Sequence, residues 1–202
     1  MNNIFSTPAS GFFFILIVVF SIVSFGNRRL LHKLMFNPYA VVHRKQYQLF
    51  FTSGFVHSDF PHLIFNMLTF YFFAFNLERS IGSINFIVLY LSSLFFSHIP
   101  TLVQQKNNPN YYSLGASGAI SGILFSSILI YPTSKIMMLP IPIPIPAAIF
   151  GVIYLAWCKF AAKRNSDNIN HSAHFAGAVT GVIVSFILFG DSIFFIWNNS
   201  FL

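Results

Sequence analysis

The stretch YYSLGASGAISGILF, residues Tyr111–Phe125, joins a polar loop to a long apolar run. It places Ser117 among glycine and alanine at the point where the apolar run begins. Small residues are common where transmembrane helices pack closely, so Ser117 alone suits a packing position. A serine in the first turn of a helix also lies beside unpaired backbone amides, which favour negative charge. Ser117 alone therefore fits both a packing role and a nucleophilic role, and the other residues of the chain distinguish between them.

The composition indicates a membrane protein. Of the 202 residues, 55% are hydrophobic and only 7% are charged, and the mean hydropathy is +0.70. Soluble domains carry about 25% charged residues, because polar side chains must cover their surface. Six runs without Asp, Glu, Lys or Arg each have at least 18 residues, and a transmembrane helix needs about 20 apolar ones. The sequence therefore predicts an all-α membrane protein, a six-transmembrane-helix bundle forming one domain over residues 1–202. The predicted spans cover approximately residues 9–26, 60–77, 84–103, 115–131, 147–160 and 171–190.

The segments outside these spans carry weaker signals. Glu78 and Arg79 are expected to mark the water boundary at the end of the second span. The run PIPIPIP, Pro140–Pro146, predicts an extended connector, because proline lacks a backbone donor and clashes with a preceding helical turn. Ser192–Leu202 is too short to span and is expected to lie at the membrane interface.

Charge and residue types restrict the partners. The net charge of +7 comes mostly from residues between the spans, which suits contact with the anionic headgroups of a lipid bilayer. Nucleic acid is not an expected partner, because no basic surface interleaved with aromatic residues lies outside the spans. Cys158 is the single cysteine, and we interpret it as a buried inert thiol in an apolar helix. The sequence does not indicate an oligomeric state.

The seven histidines raise the question of a metal site. His57, His62, His171 and His174 could be imagined around one ion. However, the sequence has no HExxH motif and no carboxylate inside a predicted span, whereas catalytic zinc usually has three protein ligands at recognisable spacing. The sequence therefore predicts no metal and no cofactor.

Four polar residues inside the spans carry the strongest functional signal: His62, Asn66, Ser117 and His174. Ionisable groups in spans are functional candidates by default, although each of these alone could be a packing or hydrogen-bonding group. All four lie near the start of an even-numbered span. Because successive spans alternate in direction, the four side chains are expected at similar depth near one membrane face.

Glycine pairs in the fourth and sixth spans add to this pattern. They share the small-xxx-small spacing that lets transmembrane helices approach closely. The pairs are Gly118 with Gly122, and Gly177 with Gly181. If these two faces pack together, Ser117 and His174 come within reach of each other.

This convergence predicts a nucleophilic site in which His174 activates Ser117 for attack on a carbonyl. The amides of Ser117 and Ala116 and the side chains of His62 and Asn66 are candidate oxyanion donors. One such donor is typically worth about 3 kcal/mol of transition-state stabilisation. The acidic residues all lie outside the predicted spans, so the sequence predicts a Ser–His dyad without a third member. These acidic residues are Asp59, Glu78, Asp167 and Asp191.

Three motifs resemble those of the rhomboid intramembrane serine proteases. GASG at Ser117 is similar to their GxSG motif, HLIFN to their HxxxN element, and AHFAGAVTG to the AHxxGxxxG pattern of their last core helix. The resemblance implies a compact six-helix bundle that cleaves transmembrane protein substrates. It also implies that Ser117 is the nucleophile, His174 the base, and His62, Asn66 and the Ser117 amide the oxyanion donors. The gate of the family falls on residues 147–170.

Two features depart from the family pattern. Many relatives carry an aromatic residue four positions after the nucleophile, where this chain has Ser121, so either another group orients His174 or the site is looser. The Trp–Arg pair of some relatives' first loop is also absent, since the tryptophans of this chain are Trp157 and Trp197. The resemblance also implies an active face on the extracytoplasmic side of a membrane, here expected to be the bacterial inner membrane. Nine of the 11 Lys and Arg residues lie near that face, whereas basic residues favour the cytoplasmic side.

Two other functions fit parts of the sequence. A catalytically inactive rhomboid-like protein that binds transmembrane helices would tolerate Ser121 but would not need Ser117 and His174. A small transporter or channel would place polar residues through the full depth of the membrane. Here the polar residues gather at one face, which favours the protease hypothesis.

Overall fold

The computed structural model describes residues 6–138, 141–164 and 169–200, and most of them are helical. Ten α-helices lie within these described residues: α1 (Pro8–Phe25), α2 (Arg28–Leu34), α3 (Pro38–Arg44), α4 (Leu49–Thr52), α5 (Phe60–Ile81), α6 (Ser83–Ser97), α7 (Ile99–Gln105), α8 (Ser117–Ile130), α9 (Ala147–Arg164) and α10 (His171–Ser200). A 3₁₀ turn covers Ser53–Phe55. A two-stranded antiparallel hairpin is formed by β1 (Lys135–Met138) and β2 (Ile141–Pro146).

Four stretches of helix among the described residues are long and apolar enough to cross a membrane. They are Pro8–Phe25, Phe60–Ile81, Ser83–Gln105 and His171–Asn199. The helical membrane fold predicted from the sequence is thereby confirmed, while the count of six spans stays a prediction. Of the six predicted spans, those in α8 and α9 are not among these four stretches. Helix α8 has only 14 residues, and α9 carries three basic residues toward its end.

Helix α8 is the centre of the bundle, since 11 of its 14 residues are buried. At about 1.5 Å per residue it is roughly 21 Å long, which is shorter than the hydrocarbon core of about 30 Å. The first residue of α8 is Ser117. If α8 spans the membrane, as the sequence predicts, the loops at its ends would have to reach below the membrane surface, and Ser117 would lie at that depth.

Glycines let α8 pack closely between two other helices. On the α10 side, a methyl group added to Gly177 or Gly181 would overlap the backbone of Gly118 or Gly122. On the α6 side, the same two α8 glycines face Ser97 and Ser93. The backbones of α8 and α10 are therefore in direct contact, which is the arrangement that small residues permit inside a membrane.

Of the two residues expected at the water boundary, Arg79 is exposed, whereas Glu78 is buried within the protein. Helix α5 continues past it to Ile81, and its side chain is only 1% exposed. The carboxylate accepts hydrogen bonds from the amides of Ala9 and Ser10 at 3.0 and 2.7 Å and from the Ser83 hydroxyl at 2.6 Å. The first amides of a helix have no partner within it, and their dipole favours negative charge. Glu78 therefore caps α1 and joins α1 to the α5–α6 corner.

The proline-rich run is extended, as predicted, and it is also paired as a strand. Ile141–Pro146 forms β2 against β1, with Ile136 opposite Ile145. Successive residues of a strand point their N–H groups to opposite edges, so alternation places every proline nitrogen on one edge and every isoleucine N–H on the other. One edge therefore keeps its donors for pairing. Pro140 lies outside the described residues.

The segment after residue 190 is helical and packs against the bundle. Phe189 interrupts α10 with φ −151° and ψ 35°, and the helix then resumes. Trp197 Nε1 donates to the carbonyl of Leu129 at 2.8 Å, and Ile193 is buried. The C-terminal turns therefore cover the C-terminal end of α8. The expectation of a tail at the membrane interface did not include this contact.

Replacing Glu78 with Gln should destabilise the fold. The amide side chain keeps the shape but loses the negative charge, and charge-assisted hydrogen bonds contribute about 1.5–3 kcal/mol each. We expect a clear fall in the thermal unfolding temperature of the detergent-solubilised protein. Arg79→Gln is the matched control, because Arg79 is exposed on the same helical turn. An equal loss in both variants would contradict the capping role of Glu78.

Gly177→Val should force α8 and α10 apart. The added side chain would meet the Gly118 carbonyl, and backbone cannot move aside as a flexible side chain can. We expect lower thermal stability and loss of any activity that depends on the contact between Ser117 and His174. Gly190→Val is the control on the same helix, because the nearest atom to its added Cβ would be 3.9 Å away. Unchanged stability of Gly177→Val would rule out this packing.

Candidate active site

Ser117 and His174 meet at the head of α8. The Ser117 Oγ lies 2.7 Å from His174 Nε2, although the residues are 57 positions apart in the chain. Both side chains are partly buried. Ser117 is the first residue of its helix, and Gly115 just before it has φ +112°, a conformation that side-chain-bearing residues rarely adopt. The chain therefore turns sharply into α8 at the serine.

The beginning of α10 is held in place by Asn170. Its Oδ1 accepts from the Ala173 amide at 3.0 Å, as in an N-cap, and its carbonyl accepts from the His174 amide at 3.2 Å. The Asn170 Nδ2 donates to Thr101 Oγ1 of α7 at 2.7 Å. Asn170 thereby anchors the first turn of α10, which carries His174, and sequence reasoning missed it. An Asn immediately before the first residue of the predicted sixth span was the available signal. The candidate acid Asp167 lies outside the described residues.

Asn66 faces the same space as the Ser–His pair. It is buried, lines the cleft together with Ser117 and His174, and donates one Nδ2 hydrogen to the His62 carbonyl at 2.9 Å. The His62 ring lies against the turn before α8, where a Cβ on Gly115 would be 2.9 Å from its Nε2. The first glycine of GASG is therefore required both by its backbone conformation and by the closeness of His62.

The loop before α5 is fixed by Asp59 and Ser58. The Asp59 carboxylate accepts from the His62 amide at 2.8 Å and from the Ser58 hydroxyl at 2.7 Å. These hydrogen bonds, that of Ser58 first, lower the pKa of Asp59 below its usual value. The Ser58 hydroxyl also lies 3.1 Å from His62 Nδ1. The carboxylate thus caps α5 and fixes the position of His62.

His57 is a further buried histidine, and it is hydrogen-bonded in the loop, as expected from the sequence. Its Nε2 accepts from the Ala116 amide at 3.4 Å, so its Nδ1 carries the proton and donates to Ser21 Oγ at 2.9 Å. Burial is the main cause that lowers the pKa of His57 to about 3, with a smaller contribution from His62. The ring is therefore neutral near pH 7 and can accept this bond. The Ala116 amide, expected as an oxyanion donor, faces His57 instead.

A cleft of about 1020 Å³ opens beside the Ser–His pair, between α5, α8 and α9. Its walls combine apolar residues with a few polar groups that converge at the Ser117 end. It extends along α5 and α8 to Arg79 and Lys135 near the opposite end of these helices. The cleft is therefore long and largely apolar, with its reactive groups near one end.

Tyr154 explains part of the unusual Ser121 position. Its hydroxyl lies 3.0 Å from Ser121 Oγ, and its ring packs against Phe125 and Phe150. The ring also lines the cleft that holds Ser117 and His174. The aromatic group next to the site comes from α9, whereas the family pattern puts it on the helix of the nucleophile. Sequence spacing gave no signal for this pairing, because it depends on how α9 is docked.

Comparison with known proteins agrees with this architecture. The family model described as "Rhomboid domain" matches residues 44–191. Rhomboid protein 1, mitochondrial, of Saccharomyces cerevisiae is 32% identical over 137 residues, covering 65% of this chain and 39% of the relative. RHOMBOID-like protein 12, mitochondrial, of Arabidopsis thaliana is 27% identical over 147 residues, covering 65% and 44%.

A bacterial relative matches as well. YdcA of Bacillus subtilis, provisionally named a rhomboid protease, is 31% identical over 140 residues, covering 65% of this chain and 62% of the relative. In these three relatives the match spans between 39% and 62% of the relative's length. Since the family model covers most of the chain, including Ser117 and His174, this integral membrane protein belongs to the rhomboid family.

Proposed function

We propose that the protein is an intramembrane serine endopeptidase that hydrolyses peptide bonds in or near transmembrane segments of membrane proteins. The observation that carries the proposal is the 2.7 Å contact between Ser117 Oγ and His174 Nε2 at the buried head of α8. Membership of the rhomboid family supports protease-type activity. The choice between an active enzyme and an inactive relative depends on these two side chains.

The proposed reaction has two stages. Ser117 Oγ attacks the carbonyl carbon of the substrate while His174 Nε2 accepts the hydroxyl proton. The tetrahedral intermediate collapses, the C–N bond breaks, and His174 returns the proton to the leaving amine. Water then attacks the acyl-enzyme, with His174 again as base, and releases the new carboxyl terminus and the free serine.

The developing oxyanion needs donors that are already in place. The Ser117 amide is in the first turn of α8, where backbone N–H groups lack intrahelical partners. Asn66 Nδ2 has a second hydrogen beyond the one given to His62, and it lies in the cleft wall. The His62 ring is adjacent at Gly115. We assign the oxyanion to these three groups and not to the Ala116 amide, because that amide donates to His57.

The cleft favours an elongated apolar substrate. A transmembrane helix has an apolar surface and no free backbone donors, so its scissile bond must leave the helix before Ser117 can reach it. The apolar part of the cleft along α5 and α9 suits the helical part of such a substrate. The Ser117 end offers polar groups to the unwound segment. Lateral entry between α5 and α9 agrees with a gate in residues 147–170, of which 165–168 lie outside the described residues.

We place the active face on the extracytoplasmic side of a bacterial inner membrane. This placement relies on the topology implied by the family, while relatives also occur in mitochondria and, by name, in chloroplasts. Basic residues conflict with it, because nine of the 11 Lys and Arg residues lie near the active face. Reporter fusions after residue 80 and at residue 200 should give cytoplasmic signals. Extracytoplasmic signals at both positions would reverse the placement.

Ser117→Ala and His174→Ala should each abolish cleavage of a model transmembrane substrate by the purified protein. Loss of either member of a Ser–His pair removes most of the rate, so we expect a fall of about 10³-fold or more. The measurement is product formation in detergent or proteoliposomes. Ser192→Ala is the matched serine control, because Ser192 is exposed on α10 and is not part of the cleft lining, and it should keep wild-type activity.

Two results would contradict the proposal in different ways. Cleavage that survives Ser117→Ala would exclude this serine as the nucleophile. A wild-type protein that cleaves none of several substrates but binds them equally well with and without Ser117 would instead favour the helix-binding function. The Ser121 position is the feature that supports that second reading.

A further inference from the structure

The inner face of α9 brings a thiol to the histidines of α10. Cys158 is 1% exposed, while its neighbours Trp157 and Lys159 point outward. His171, 7% exposed, and His174 lie one turn apart at the start of α10, and their rings are 6.0 Å apart. The potential ligand atoms of Cys158, His171 and His174 all lie within 4.8 Å of one another.

This trio has the chemistry of a transition-metal site. Thiolate and imidazole are the ligands that Zn²⁺ prefers, and three protein ligands leave a fourth tetrahedral position for water. With Zn–S and Zn–N bonds of about 2.3 and 2.0–2.1 Å, neighbouring ligand atoms would be about 3.3–3.6 Å apart. The three groups therefore need to approach one another by at most about 1.2–1.5 Å to form a closed site. Side-chain rotations of this size are within the reach of Cys158, since one torsion sets its sulfur position.

We propose that Cys158, His171 and His174 form an inhibitory site for Zn²⁺ or a similar soft divalent ion. On binding, the Cys158 thiol releases its proton to solvent and the two imidazoles bind as neutral rings. The ion is a regulatory ligand and takes no part in the hydrolysis. Its inhibitory effect rests on the proposed function, whereas its binding does not.

Coordination would remove the catalytic base whichever ring nitrogen of His174 is used. If Nε2 binds the ion, its lone pair no longer reaches the Ser117 hydroxyl. If Nδ1 binds the ion, the neutral ring carries its proton on Nε2, which then cannot accept the serine proton. In both geometries His174 cannot accept the serine proton, so the metal-bound protein is inactive. Inhibition should therefore be complete at saturating metal and reversed by a chelator.

Co²⁺ titration of the full chain, purified in detergent without a histidine tag, tests the site directly. Cys158 is the single cysteine, so any thiolate-to-Co²⁺ charge-transfer band must come from this residue. We expect such a band together with the visible absorption of a tetrahedral site, and displacement of both by Zn²⁺. Absence of the band at millimolar Co²⁺ would overturn the proposal.

Ligand variants separate this site from adventitious binding. Cys158→Ser should eliminate the band, and His171→Ala and His174→Ala should each weaken Zn²⁺ affinity by about tenfold or more, since even indirect contacts change metal affinity by 10–100-fold. His43→Ala is the matched control, because His43 is exposed on α3 and should leave binding unchanged. A band that persists unaltered in both α10 histidine variants would exclude the proposed ligand set.

A measurement of substrate cleavage tests the inhibitory role of the ion separately from its binding. Zn²⁺ should inhibit substrate cleavage by the wild type, EDTA should restore it, and Cys158→Ser should resist inhibition. Ser117→Ala should bind Co²⁺ like the wild type although it is inactive. If no cleavage is found but the Co²⁺ band is present, the proposed function fails and the metal site stands. If cleavage occurs and Zn²⁺ inhibits Cys158→Ser equally, the inhibitory role is refuted.

Discussion

The direct backbone contact between α8 and α10 is the constraint on which the site depends. Gly118 and Gly122 face Gly177 and Gly181 so closely that a single added methyl group would overlap the opposite helix. That approach sets the distance between the first turns of both helices, and hence the 2.7 Å between Ser117 Oγ and His174 Nε2. Side chains of ordinary size would move the two groups beyond hydrogen-bonding distance. The packing of α8 against α10 therefore also sets the geometry of the Ser117–His174 pair.

Several polar groups buried in the bundle have hydrogen-bond partners on other segments, which matters because a buried polar group without a partner is costly. Glu78 caps α1, Asn170 links α10 to α7, and His57 accepts from the turn that precedes Ser117. Each bond joins segments that are distant in sequence. The turn before α8 is thereby held from one side by His57 and His62, while α10 holds the other side.

Local patterns in the sequence predicted a large part of this structure. Hydrophobic runs, and the polar, glycine and proline residues between them, indicated where the helices lie. The spacing of small residues predicted which faces of the fourth and sixth spans would meet. What could not be predicted depends on rotation and docking of whole helices. In the sequence Glu78 resembles a boundary residue, and only the docked position of α1 shows that it caps the first turn of that helix. Tyr154 and Cys158 both lie on α9, and only the docked position of that helix brings them to Ser121 and His174.

Reaction of the native protein with a fluorophosphonate probe is the most direct measurement of whether α8 and α10 together create a nucleophile. The probe modifies serines that a neighbouring base has activated, and it needs no knowledge of the natural substrate. Mass spectrometry of the labelled protein should find the adduct on Ser117, and His174→Ala should prevent its formation while the protein remains folded. Equal labelling of Ser117 in wild type and His174→Ala, or no labelling of Ser117 in folded wild type, would contradict activation by this contact.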